Sequence, residues 1–381
     1  MATKKKSPAE IESLYESGDF HVVQERSDFL LPQIVDFVKK DRWINTKPEY
    51  QRRLVWDRKK KSRLIESLLM NIPVPPIFLF EHDLSRYEVM DGQQRLNSVM
   101  EFYSNEFKLT GLEHWSVLNG FTYSDLPPII QRGLDRRRIS ATVLLNESGG
   151  TAPRAKELRR QIFDRLNTGG QKLNAQELRN CLYSGVYNNA IIEMAGNDRF
   201  NDMFDIPRYS DHIRRGVASI SLRENVYYKR MRDVEIVLRY LTFRGPKSKI
   251  SGAVKTMLDR KMEEGEAYSV DRVASETAEF TAAVDLCWAV LGEAAFKWPD
   301  GQGGYGEHSI PLYDAIMVSM DRLKGRKAAL VKNKVKVRKA IDAAVLKSKS
   351  TRDLFTGKAN TSQSVKDRLD LMEKVILAAI K

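Results

Sequence analysis

The stretch Tyr87-Glu88-Val89-Met90-Asp91-Gly92-Gln93-Gln94-Arg95-Leu96 decides how the chain is read. Tyr87 to Met90 are mostly β-formers, whereas Leu96, Val99, Met100 and Tyr103 recur at helical spacing, so the hydrophobic period changes at Asp91-Gly92. A strand is expected to end there and a helix to begin. Asp91 is the expected N-cap, and Gly92 removes the Cβ where the backbone turns. The first amides of that helix then face whatever lies above the strand, beside a carboxylate, two carboxamides and a guanidinium. Chemically this is an anion cradle next to an acid.

Upstream of this turn, Ile77-Phe78-Leu79-Phe80 reads as a short buried strand, entered from Asn71-Ile72-Pro73-Val74-Pro75-Pro76, whose prolines end the preceding helix. Asp57 caps that helix, and Leu64, Ile65, Leu68 and Leu69 form its buried stripe. Further upstream a helix is expected from Asp28, its cap, through Val38, and residues 1–26 are expected to form a loose polar arm. Downstream come a strand-like Phe107-Lys108-Leu109, a break at Pro127-Pro128 and a β-rich run from Ile139 to Leu145. A helix from Ala155 to Leu166 leads to the turn Asn167-Thr168-Gly169-Gly170, and another helix runs from Asn174 to Tyr183. Beyond Gly185 the pattern is almost wholly helical. The segment Gly301 to Gly306 reads as a loop with no strand before it, and Thr361 or Ser364 starts the last helix.

The 381 residues are 42% apolar and 9% aromatic, which is ordinary globular composition. No apolar run is long enough to span a bilayer, and no apolar segment follows the lysines of Met1 to Lys6, so a cytoplasmic protein is expected. Cys181 and Cys287 are expected as buried thiols. Of the net charge of +13, residues 321–381 carry +11, with 17 Lys+Arg against 6 Asp+Glu. Lys332, Lys334, Lys336, Arg338 and Lys339 are the densest part, and a nucleic acid is the expected partner. Tyr227-Tyr228-Lys229-Arg230-Met231-Arg232 adds Lys229 and Arg230, whose aromatic neighbours suit stacking on a strand; the other reading is a helix face with snorkelling stems.

Four blocks in order resemble the DUF262 family: Tyr50-Gln51-Arg52 with Trp56; Ser67 to Pro76; Asp91 to Leu96; and Phe163 to Gly170 followed by Gln176-Glu177-Leu178-Arg179-Asn180. The resemblance is strong over residues 27–185 and fades beyond. It implies a ParB/sulfiredoxin-like core over 27–185; with the strands read above as a small mixed sheet and the helical, basic remainder over 186–381 as a second domain, the expected fold class is α+β. The resemblance further implies phage defence against modified DNA, nucleotide binding at the Asp-Gly-Gln-Gln-Arg turn, and a joined nuclease of the His-Asn-His type. The histidines here, His21, His82, His114, His212 and His308, do not form that last pattern. No metal site is expected, and a separate nuclease or a second copy of the chain stands open as a partner.

The resemblance implies that Gly92, Gln93, Asn167, Thr168, Gly169, Gly170 and Arg52 line a nucleotide, while Asp91, Gln94 and Arg95 do the chemistry. Three readings stay open. A nucleoside triphosphate with Mg²⁺ is hydrolysed, Arg95 holding phosphate and Asp91 serving a bridging metal or an attacking water. Alternatively, a modified base flipped from DNA is excised through Asp91 with no cofactor. Or the turn senses a nucleotide without catalysis. Against all three, Asp91 caps the helix, Arg95 pairs with it or with Glu88, and nothing reacts.

Overall fold

The computed structural model describes residues 7–16, 23–40, 42–45, 56–145, 161–162, 174–183, 185–214, 217–356 and 361–381. They fall into two compact units, one within Met1–Pro48 and Leu54–Leu173 and the other within Asn174–Lys381.

In the first unit the sequence alternates short apolar strands with amphipathic helices, and the strands close a five-stranded mixed sheet. Its members are β1 (Gln24–Leu30), β2 (Ile44–Asn45), β3 (Ile77–Asp83), β4 (Arg86–Asp91) and β5 (Arg138–Leu144), in the order β1-β5-β3-β4-β2. β3 and β4 form an antiparallel hairpin, β5 lies parallel to β3, β1 antiparallel to β5, and β2 parallel to β4. Ile77, Leu79, Val89, Ile139, Ala141 and Val143 are buried on one face of the sheet, and Met90, Thr142 and Leu144 on the other are buried as well, so the ends of β4 and β5 are covered on both sides. Helices α2 (Leu31–Lys39), α3 (Arg58–Leu69), α4 (Gln93–Tyr103) and α5 (Pro128–Asp135) contribute Ile34, Ile65, Leu68, Leu96, Val99, Phe102 and Leu134 to the same core. Asp57 caps α3 as expected, accepting from the Lys60 amide at 2.8 Å. An α+β architecture with a small mixed sheet is therefore present.

Four local expectations are corrected. Asp28 does not start a helix; it lies in β1 and accepts from Ser140 Oγ of β5 at 2.6 Å, because seven consecutive pairings with β5 override the local helical spacing. The helix starts at Leu31, where Gln33 Oε1 accepts from the Leu30 amide. Within the expected loose arm, Pro8–Glu16 is an α-helix (α1). Phe107-Lys108-Leu109 is not a strand: Leu109 exchanges backbone hydrogen bonds with Phe121 and Gly120, and Phe107 and Leu109 bury their side chains. Pro128 opens α5 rather than only breaking the chain, since a proline at the first helical position loses no internal bond.

The loop after Leu109 hangs on α3. Glu66 is buried there and accepts the amides of Glu113, His114 and Trp115 at 3.2, 2.8 and 2.8 Å, while Ser62 Oγ accepts from Thr110 at 3.0 Å. Burial pushes the Glu66 pKa up, but these three amides outweigh it and hold the carboxyl below its ordinary 4.5.

The second unit is helical, as expected, apart from small two-stranded pieces. Its helices include α6 (Ala175–Leu182), α7 (Arg232–Phe243), α8 (Val270–Leu291), α9 (Ile310–Arg322), α10 (Lys327–Lys332), α11 (Lys334–Leu346) and α12 (Ser362–Ala379), the last capped by Thr361. A core of Val237, Phe280, Ile316, Val337 and Met372 joins most of them. Cys287 is a free, fully buried thiol whose pKa burial pushes up; the Cys181 side chain lies outside the described ones. The Gly301 to Gly306 segment is corrected too: it turns between strands Lys297–Pro299 and Tyr305–His308, and Asp300 Oδ1 accepts from Gln302 and Gly304. No helix among the described residues is long and apolar enough to cross a membrane.

Replacing Glu66 by Ala strands three amides and is expected to cost roughly 3 kcal/mol in urea unfolding, with Glu66→Gln costing less. Because the folded pKa is depressed, the contribution is fully present above pH 4.5 and is lost as pH falls below it; the wild-type and Glu66→Gln stability curves should therefore converge on acidification.

Candidate functional site

β4 ends at Asp91, which pairs with Phe78 of β3, and the chain then turns sharply into α4. Gly92 makes that turn with φ of +95°, a left-handed value that side chains other than glycine rarely adopt. Space demands glycine as well: a Cβ there would lie 2.4 Å from Ile77 Cγ2 and 3.0 Å from Arg95 Nη2. Gly92, not Asp91, is therefore the N-cap, which corrects the expectation. The physical reason is that Asp91 stays in the strand ladder and turns its carboxylate to Arg95. No side chain caps the helix, so its positive end is left to backbone groups.

Arg95 Nη2 donates to Asp91 Oδ2 at 2.8 Å and to the Pro76 carbonyl at 3.1 Å, and Arg95 Nε is buried with no hydrogen-bond partner. The two partners differ in access: the Asp91 side chain is 42% exposed and that of Arg95 15%. Gln94 Oε1 accepts from the Trp56 amide at 3.2 Å, which ties the approach to α3 to the first turn of α4. Lys60 Nζ sits 4.9 Å from the Trp56 ring centroid. A half-exposed acid, a cation held between it and a carbonyl, and an amide tethered to an aromatic residue thus converge on one helix start.

Asp91, Gly92, Gln93, Gln94 and Arg95 stand together by virtue of the turn. The other expected walls, Arg52 and Asn167-Thr168-Gly169-Gly170, lie outside the described residues. Trp56, Pro76 and Ile77 were not expected as site-forming residues; Trp56 and Pro76 stand in the blocks quoted above, which was the available signal. The block Gln176-Glu177-Leu178-Arg179-Asn180 does different work. Its polar side chains are buried, Glu177 closing a capping box with Asn174 and Arg179 pairing with Asp259 at 2.7 Å and Glu235 at 3.2 Å.

Residues 33–184 match the family model of the GmrSD restriction endonuclease, N-terminal domain. The DUF262-type resemblance is thereby shown for that segment. No curated protein and no solved structure matches the chain. The GmrSD N-terminal match takes in β2 to β5, the Gly92 turn and also α6, which belongs to the second compact unit.

Among the expected nucleic-acid contacts, Lys332, Lys334, Lys336 and Lys339 are exposed on α10 and α11. Arg338 is turned back, its guanidinium 3.9 Å from the Tyr305 ring centroid, with Nη1 donating to the Ala294 carbonyl at 2.8 Å and Nε 3.1 Å from Asp342. Arg230 pairs with Glu177 at 3.1 Å, and its neighbour Lys229 is half-buried. His308 stacks on Phe204 at 5.2 Å, and burial pushes its pKa down. Among the described residues no group of three or more His, Cys, Asp or Glu is placed to hold a metal ion.

Gly92→Ala is expected to destabilise by roughly 3 kcal/mol in chemical unfolding, combining left-handed strain with the Ile77 clash. Made together with Ile77→Ala, it should cost about 1 kcal/mol less than the sum of the two single changes, since only the clash is shared.

Proposed function

We propose that the chain is a restriction-type defence protein directed at foreign, modified DNA, and that its Asp91 to Arg95 turn binds and hydrolyses a nucleoside triphosphate over a ParB-like core. The match to a restriction endonuclease domain supports the first part. The observation that carries the second is the Asp91–Arg95 pair at a helix start capped by glycine.

The residues fit the group they would hold. A phosphate above the helix start meets the positive end of α4 and competes with Asp91 for the Arg95 guanidinium, whose planar donors suit two phosphate oxygens. Mg²⁺ commonly takes only one or two protein carboxylates and completes its shell with phosphate oxygens and water, so the half-exposed Asp91 suffices as a ligand. When bound, the ion would neutralise phosphate charge. Arg95 would hold the transferring phosphoryl group, and Gln94, tethered through Trp56, would orient water. Water attacks the γ-phosphorus, the bond to the β-phosphate oxygen breaks, and the proton released from water passes to solvent. Cutting of the DNA strand falls, in this reading, to a separate nuclease.

Purified protein with Mg²⁺ and each nucleoside triphosphate, with and without modified phage DNA, should release inorganic phosphate. Arg95→Ala and Asp91→Asn should each lower the rate by about 10²-fold or more while retaining a cooperative thermal transition. Phosphate release that is absent, or indifferent to both substitutions, sinks the hydrolysis reading. Alkali-labile sites appearing in the DNA and depending on Asp91 would replace it with base excision.

A further inference from the structure

Between Asp321 and Asp342 the chain has no acidic residue. The two flanking acids are already engaged: Asp321 is buried with Arg244 at 3.0 Å and Lys324 at 3.1 Å, and Asp342 meets Arg338 and Tyr305. Arg326, Lys327, Lys332, Lys334, Lys336 and Lys339 are exposed over this run. Among the described residues, Lys332, Lys334, Lys336 and Lys339 have no ion pair. On α11, Val337, Ile341 and Val345 recur four residues apart and are buried, which fixes the helix and turns Val335, Lys336 and Lys339 to its other side. Val335 is 61% exposed between Lys334 and Lys336, leaving a neutral spot within the charge.

We propose that the α10–α11 ridge is a docking surface for the phosphate backbone of duplex DNA, and that it binds without regard to sequence. Charge complementarity selects the occupant: a run of exposed cations with no acid between Asp321 and Asp342 matches a polyanion with closely spaced charges. A helix of 13 residues is about 20 Å long, enough to pass several phosphates of one strand. The chemistry of the cations selects the mode. The ridge on α11 is lysine, a point charge suited to phosphate, whereas bidentate reading of guanine needs arginine. Arg338, the arginine of α11, is held against Tyr305, Asp342 and Ala294. Within α10 and α11 the exposed cations are lysines, so these two helices anchor without reading sequence; the exposed Arg326 lies just before α10.

The inference rests on DNA being the target, and the experiment separates the two. Binding of the full chain, without nucleotide, to two unrelated duplexes of about 20 base pairs is measured by fluorescence anisotropy between about 50 and 200 mM salt. Wild-type protein should bind both equally, with log K falling linearly against log salt. Lys332→Gln/Lys334→Gln/Lys336→Gln should weaken both equally and make the slope shallower by about 2 to 3 units. If the triple variant keeps the wild-type slope, or loses only one duplex, the ridge is not the anchor although DNA remains the target. If wild-type protein binds neither duplex, the DNA reading falls with the ridge; binding instead to phosphatidylserine vesicles identifies a membrane surface as the occupant. A thermal transition unchanged by the three exposed substitutions confirms that folding is not what was altered.

Discussion

The first unit depends on how closely β3 approaches the turn that follows β4. Ile77 is fully buried, and its Cγ2 fills the space where a side chain at position 92 would start. That contact forces glycine and admits the left-handed backbone. It also draws the start of α4 so near the Pro76 carbonyl that Arg95 can bridge it and Asp91 with one nitrogen. Packing of an apolar side chain thereby sets the geometry of a polar site, and the carboxylate is kept out of the capping role that local sequence preference would assign to it.

Much of this was legible in advance because periodicity and turn chemistry are local. The switch at Asp91-Gly92, the Asp57 cap, the buried stripe of α3 and the helical second unit follow from spacing alone. What was not legible depends on partners far along the chain. Asp28 looks like a helix cap until β5, more than a hundred residues later, supplies a ladder for residues 24–30. Asp91 looks like a cap until Ile77 constrains its neighbour. Pro299 and the glycines after it look like an open loop until Tyr305–His308 pairs back across them. In each case tertiary pairing overrides a correct local preference.

The second unit shows the same limit in its electrostatics. Asp314 is fully buried and shared by Arg239, at 2.9 Å from Nε, and Arg368, at 2.7 Å from Nη2. Arg179, equally buried, draws on Asp259 and Glu235. Such groups stay in the interior because removing one partner would strand a buried charge, a penalty larger than the net benefit of the pair itself. They contribute to any tally of net charge while offering nothing to solvent.

This division changes what a basic composition means. Arginines 179, 230, 239, 338 and 368 are each held by a carboxylate of the same chain, whereas Lys332, Lys334, Lys336 and Lys339 stand in solvent. The guanidinium is weakly hydrated and presents fixed planar donors, so burial costs it less than it costs an ammonium; lysine keeps its hydration by remaining outside. The preference is not absolute, since Lys61 and Lys261 are also buried and paired, with Glu101 and Glu276, but the five arginines and four lysines named here follow it. On α10 and α11 the exposed charge is therefore lysine's, diffuse and phosphate-directed, whereas at the Gly92 turn a fold constraint sets a guanidinium beside a half-exposed carboxylate.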